Sequence, residues 1–196
     1  AVPPISSTKS LAGHSLGEFA ALVAAGALGF TDAIKLVRFR AEAMQVAVPE
    51  GVGAMAAILG LNAAAVAAVC AEAAGDPASA QVVEPVNFNG PEQIVIAGHK
   101  DAVERAVAIA AERGAKKGVL LPVSAPFHSS LLKPAAERLA ARLAGVTLNV
   151  PAIPVLHNVD VPERPAPAAT RAALAPHPPT PARRAQLIQP YAARGV

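Results

Sequence analysis

Tryptophan is absent from this 196-residue chain, and aromatic residues of any kind make up only 3% of it. That leaves few planar side chains on which unpaired bases could stack. The formal net charge is +3, but the cations are scattered rather than gathered into the basic stripe that nucleic-acid binding normally uses. Neither nucleic acid nor membrane is expected as a partner, since no apolar run approaches the ~18 residues a spanning helix needs. The single cysteine, Cys70, lies in an Ala/Val run and reads as a small buried hydrophobe. One thiol excludes a disulfide framework, which fits a reducing, cytoplasmic setting. The opening AVPPISSTKSLAGHS has neither an initiator Met nor the basic-then-apolar start of a signal peptide. The residues are therefore expected to begin partway through a longer protein.

What is abundant is aliphatic. Hydrophobic residues reach 53%, enough for a large core of Ala-rich helices packed closely on a sheet. Residues 16–28 read as a helix leaving a Gly-rich turn. Residues 30–48 read as a second, capped by Thr31 or Asp32, with Ile34, Val37, Ala41 and Met44 on its apolar face. Residues 53–123 then alternate: strand, helix capped by Asn62, strand, a turn at Asn89-Gly90-Pro91, strand, a helix closed by Gly114, and a last strand (GVLLPVS). The order β-α-β-β-α-β is the split ferredoxin-like arrangement, expected here as an insert at 53–123 within a core formed by 1–52 and 124–196. One further helix (HSSLLKPAAERLAARLAGV) and a strand entering a turn (IPVLHNVD) follow. Beyond about Val161 no clean period survives, and ten of the 19 prolines fall between Pro151 and Pro190.

The most informative stretch is Gly13-His14-Ser15-Leu16-Gly17. Gly-x-Ser-x-Gly ahead of a helix is the nucleophile-elbow pattern. The turn is strained, so small neighbours are needed, and Gly13 and Gly17 are expected to supply them. The helix start favours a developing oxyanion, with the Leu16 N–H as a candidate donor. The competing reading makes Ser15 a helix N-cap. A serine nucleophile needs a base, and five histidines are available. The side chain of His14 should diverge from that of Ser15, and His99 reads as a solvated loop residue. His128, between a strand and a helix where the chain re-enters the core, is the best placed. His157 and His177 carry no independent signal. No metal site is expected.

Five segments in order, GHSLGEFAALVAAGAL, VRFRAEAMQ, GAMAAILGL, VNFNGPEQIVIAG and LPVSAPFHSSLL, resemble the malonyl-CoA:acyl-carrier-protein transacylase family and the related acyltransferase domains of polyketide synthases. The resemblance covers roughly residues 11–160. It implies an α/β fold, an α/β-hydrolase-like core with a parallel sheet carrying the ferredoxin-like insert. It implies malonyl transfer from malonyl-CoA to acyl carrier protein, without a permanently bound cofactor, through a Ser–His dyad of Ser15 and His128. Arg40 matches the arginine that holds the malonyl carboxylate, and Phe127 the position that goes with the size of the acyl group. Asn87, Asn89 and Asn158 match family positions near the site. His177 stands where the family has a Gln whose backbone carbonyl orients the catalytic His. The family also carries, well ahead of its nucleophile, a Gln-rich loop that supplies the second oxyanion donor, and no such loop occurs in these 196 residues. Lys116 and Lys117 are candidates for docking an acidic carrier protein. Two rivals remain: a serine esterase completing its triad with Asp76 or Asp101, and a non-catalytic module that only binds the carrier.

Overall fold

The computed structural model of the chain describes residues 8–76, 81–159, 166–175 and 181–186. It is a mixed α/β fold with one parallel and one antiparallel sheet. The described part of the parallel sheet is two residues long: β1 (Leu11–Ala12) lies beside β6 (Val155–Leu156), with Leu11 opposite Val155 and Ala12 opposite Leu156. A segment as polar as ISSTKS makes a poor strand by itself. Leu11 becomes one because its N–H reaches the Pro154 carbonyl at 2.8 Å, a partner from the far end of the chain.

Helix α1 (Gly17–Ala24) is shorter than the expected 16–28, because Gly26 takes φ 72° and turns the chain. Helix α2 (Phe30–Ala47) is capped by Gly29 rather than Thr31 or Asp32, and Asp32 sits in its first turn. Its buried face is Ala33, Leu36, Arg40, Ala43 and Met44. Of the face expected through Ile34, Val37, Ala41 and Met44, Met44 is buried and Val37 packs half-buried against the core, while Ala41 is exposed and Ile34 is 55% exposed. Both faces are apolar enough that spacing cannot choose between them. The choice falls to the core of Leu139 and Leu143 on α5 (Lys133–Ala144), which gathers in Ala33 and Leu36. One residue of phase is about 100° of rotation, and that rotation carries Arg40 inside.

Strand β2 (Gly53–Leu59), α3 (Ala63–Ala74), β3 (Val83–Gly90), β4 (Gln93–His99), α4 (Lys100–Glu112) and β5 (Lys117–Leu120) follow in the expected order. Their antiparallel sheet runs β3-β4-β2-β5. Val66, Val69 and Cys70 of α3 and Val103, Ala106 and Ala110 of α4 pack against Ile58, Ile94 and Ile96. Asn62 caps α3 by accepting the Ala65 N–H at 2.9 Å. Gly114, at φ 87°, closes α4, with Ala115 N–H on the Ala110 carbonyl at 2.9 Å. The β3–β4 turn falls on Pro91-Glu92, not Asn89-Gly90-Pro91; Asn89 and Gly90 stay in β3, where the register slips between Phe88 and Gly90. The last strand stops at Leu120, the Leu121 N–H still reaches the Met55 carbonyl of β2 at 2.8 Å, and residues 122–124 run on toward His128.

Beyond it, the single helix expected from His128 is split into a 3-10 turn, Ser130–Leu132, and α5. Helix α6 (Pro167–Leu174) forms where the sequence shows no clean period: Pro167 occupies its first turn, where a missing N–H costs nothing, and Thr170, Ala173 and Leu174 are buried. Among the described residues no helix is long and apolar enough to cross a membrane.

Candidate active site

Chain geometry around Ser15 argues against its being the helix cap. Ser15 has φ 52°, and Leu16, not Ser15, takes the cap position of α1. Among the described residues, Ser15 and His128 (φ 67°) are the two non-glycine residues with positive φ. Such conformations are costly and persist where the surroundings over-determine them. Here the two strained residues face each other, Ser15 Oγ lying 2.9 Å from His128 Nε2. With the proton on Nδ1 of the imidazole, Nε2 accepts the serine hydroxyl, which is the geometry a general base requires.

The two glycines of the motif are not equivalent. A Cβ on Gly13 would lie 2.0 Å from the backbone carbon and oxygen of Gly17, so the elbow closes only over a glycine there. A Cβ on Gly17 would meet nothing within 4 Å. The expectation that both must be small therefore holds for Gly13 alone; Gly17 begins α1 with open space around its Cα. The Leu16 N–H takes no part in the hydrogen bonds that close the turn, which run from Gly17 to His14 and from Glu18 to Ser15.

Arg40 is 6% exposed, and its Nη2 donates to Ser15 Oγ at 3.2 Å. Its Nε is buried with no hydrogen-bond partner among the described residues. Burial lowers the guanidinium pKa to about 10, against the Glu18 carboxylate, which acts to raise it. A buried cation with an unused donor, beside a serine–histidine pair, is built to receive an anion.

Ser15, Arg40 and His128 share a cleft of about 510 Å³ with Met44, Gln45, Met55, Asn87, Leu121, Val123, Ser124 and Phe127. One wall is α2 and the elbow; the other is the antiparallel sheet and the segment leading to His128. Phe127 lines the cleft as expected, and so does Asn87, whose Oδ1 is buried without a partner. Asn89 does not line it, because the slip in β3 breaks the alternation that would keep it beside Asn87. His14 also lines the cleft, and burial, followed by Arg184, lowers its pKa. Sequence reasoning missed Gln45 and Ser124, hydrogen-bonded to each other at 2.9 Å on the rim; both lie inside segments that carry the resemblance, but neither residue type by itself points to a site.

Asn158 requires correction. It is buried and is not among the residues that line the cleft, reaching it only through the backbone of Ser15. Its Oδ1 accepts the Ser15 N–H at 3.0 Å, and its Nδ2 donates to the Gly13 carbonyl at 2.6 Å and to Glu18 Oε2. All of its side-chain polar atoms are committed to the elbow, which leaves none for a substrate. Glu18 and His157, both fully buried, complete this network, with His157 Nδ1 2.6 Å from Glu18 Oε1. A Glu in the first turn of a helix ordinarily reads as a solvated dipole partner, so nothing in the sequence marked it.

Other expectations resolve simply. His99 is not a solvated loop residue: it ends β4 and its Nδ1 accepts the Val82 N–H at 2.9 Å. Asp76 and Asp101 are exposed, Asp101 in the first turn of α4. Lys116 pairs with Glu92 at 3.5 Å, and Lys117 stands opposite Leu59, roughly 13 Å along the strands from Met55 in the cleft. His177 lies outside the described residues.

Residues 7–193 match the acyl transferase domain family. The chain belongs to that family. The malonyl CoA–acyl carrier protein transacylase of Escherichia coli K12 is 58% identical over 151 residues, covering 77% of this chain and 48% of that protein. The solved structure of the malonyl CoA–acyl carrier protein transacylase of Coxiella burnetii is 45% identical, with a TM-score of 0.93 over 97% of this chain and 59% of the other. Another solved structure, also 45% identical with a TM-score of 0.93, is a type II polyketide-synthase acyl-carrier protein in complex with its malonyl-transacylase; 97% of this chain covers 60% of that one. The acyltransferase chain described here thus spans about half the length of the curated relative and about 60% of the solved structures.

Proposed function

We propose that this acyltransferase moves a malonyl group from malonyl-CoA to the phosphopantetheine thiol of an acyl carrier protein. The observation that carries the reading is Arg40: a buried guanidinium 3.2 Å from the serine oxygen, with Nε unused. An esterase acting on neutral acyl groups would be opposed by that cation, whereas a malonyl carboxylate needs it.

In the first half-reaction Ser15 Oγ attacks the thioester carbonyl carbon and its proton passes to His128 Nε2. The tetrahedral oxyanion forms near the start of α1, where the Leu16 N–H is the candidate donor. The C–S bond then breaks, and the CoA sulfur leaves with the proton from His128, giving malonyl-Ser15 and neutral imidazole. In the second half the carrier thiol loses its proton to His128, its sulfur attacks the acyl carbon, and Ser15 Oγ leaves with that proton. Arg40, whose Nη2 donates to Oγ in the structure, is taken over by the malonyl carboxylate through charge-assisted hydrogen bonds. Phe127 and Asn87 bound the acyl space, and the reaction needs no resident cofactor.

Residues 53–123 act in this reading as a ferredoxin-like insert that walls the cleft against an α/β-hydrolase-like core of 1–52 and 124–196. The setting is cytoplasmic fatty-acid synthesis. The carrier approaches the cleft mouth; Lys116 and Lys117, at the far end of the sheet, are poor docking candidates.

Intact-protein mass spectrometry after brief exposure to malonyl-CoA tests the proposal. A malonyl adduct that vanishes in Ser15→Ala is the expected result. A folded chain that takes no adduct would overturn it and leave a carrier-binding module as the better account.

A further inference from the structure

The reaction above gives no part to Glu18, yet a fully buried carboxylate is expensive to keep ionised. Its partners show how it is held. Oε2 accepts the Asn158 backbone N–H at 3.0 Å and the Asn158 Nδ2, and Oε1 faces His157 Nδ1 at 2.6 Å. His157 and Asn158 directly follow β6, which lies beside β1, so the network ties the two strands together behind the elbow.

The side-chain amide of Asn158 can sit two ways round, and its neighbours choose. Glu18 Oε2 and the Gly13 carbonyl are both acceptors on one side of it. They demand the NH2 group there, which turns Oδ1 toward the Ser15 N–H at 3.0 Å. One amide thereby grips residues 13 and 15 together and holds the intervening backbone in the turn. Without a carboxylate at position 18, the amide loses the stronger of the two acceptors that fix its orientation.

We infer that Glu18 is a positioning residue for the nucleophile: acting through Asn158, it holds Ser15 in the left-handed conformation that aims Oγ at His128. This rests on the reading of Ser15 as a nucleophile, but not on which acyl group it carries.

The test uses the full chain and a small uncharged fluorophosphonate. Its phosphorus bonds to Ser15 Oγ as fluoride leaves and the hydroxyl proton passes to His128. Intact-mass kinetics give the rate, thermal melting reports folding, and the malonyl-CoA concentration that half-saturates adduct formation reports substrate binding. Glu18→Gln and Asn158→Ala should each slow phosphonylation roughly 10- to 100-fold, with half-saturation by malonyl-CoA unchanged. Because Glu18 acts through Asn158, the double variant should be no slower than Asn158→Ala alone.

A folded Glu18→Gln that reacts at the parental rate overturns the inference, and so does a double variant whose losses multiply. If Glu18→Gln does not fold, Glu18→Asp keeps the charge on a shorter arm and should also react slowly; the parental rate there overturns the inference equally. A parent chain that is phosphonylated on Ser15 but never malonylated sinks the malonyl reading, and the phosphonate rates still decide the role of Glu18. A parent inert to both reagents removes the nucleophile, and this inference with it.

Discussion

The Arg40 guanidinium donates to Ser15 Oγ from 3.2 Å, on the same oxygen that faces His128 at 2.9 Å. A cation and a base on one hydroxyl separate two functions that mutation can pull apart. His128→Ala should slow acylation by every thioester about 1000-fold, because the proton has nowhere to go. Arg40→Ala should slow malonyl transfer by about 100- to 1000-fold, the worth of two charge-assisted hydrogen bonds, and leave acetyl transfer unharmed. Rates of adduct formation with both donors check this. Equal losses for malonyl and acetyl in Arg40→Ala would mean that the cation does not read the carboxylate.

Gly13 and Gly17 should respond in opposite ways to the same methyl group. Gly13→Ala drives a Cβ to 2.0 Å from the Gly17 backbone, and the elbow must open. The expected outcome is loss of Ser15 reactivity together with a lowered melting temperature. Gly17→Ala meets open space at the first position of α1, where alanine is the better helix former by up to about 1 kcal/mol. Its melting temperature should hold or rise. Circular dichroism melts of the two variants decide the matter, and a fall for Gly17→Ala would contradict the open space seen around it.

Acid should weaken the fold through His14. Burial, then Arg184, keeps its pKa below the ordinary 6.5. The unfolded chain therefore takes up the proton at a higher pH than the folded one. This contribution to stability is complete above about pH 6.5 and declines as the pH falls through the lower, folded-state value. Melting temperatures should drop from about pH 7.5 to pH 5, and less steeply in His14→Gln. Identical slopes in the two proteins would show that His14 is not the group responsible.

Cys70 should be silent in the native state. It is 3% exposed between α3 and the sheet, and burial, then Glu84, pushes its thiol up to about 12. Only the thiolate alkylates. Iodoacetamide at about pH 8 should therefore modify the folded chain at least ~1000-fold more slowly than the chain in urea. Rapid labelling without denaturant would mean that α3 is not docked as described.

Much of the 53–123 region is legible in the residues alone. Asn62 does cap α3, Gly114 does close α4, and the strand order follows from alternating periods, because these signals are local and each is read by its own neighbours. The helix face of α2 is not legible in the same way. Ile34 looks as fit for burial as Ala33 and Leu36, and the decision belongs to Leu139 and Leu143 on another helix. The turn after β3 slips by a similar route: Asn89-Gly90 is a strong turn pair, but pairing with β4 holds it in the strand.

By itself, the sequence determined the chemistry available. A serine between two glycines, a histidine between a strand and a helix and an arginine on a helix are all readable from residue type and order. So is the need for glycine ahead of the serine, although not the lack of any such need at Gly17. Tertiary structure decided what those groups do to one another. The rotation of α2 turns Arg40 inward, the left-handed backbone at Ser15 and His128 brings two distant segments within 2.9 Å, and strand β6 delivers Asn158 and His157 to a glutamate that reads as surface. Each of these depends on contacts between residues far apart in the chain, and no local propensity encodes which of two equally apolar faces, or which of two amide orientations, the packing will choose.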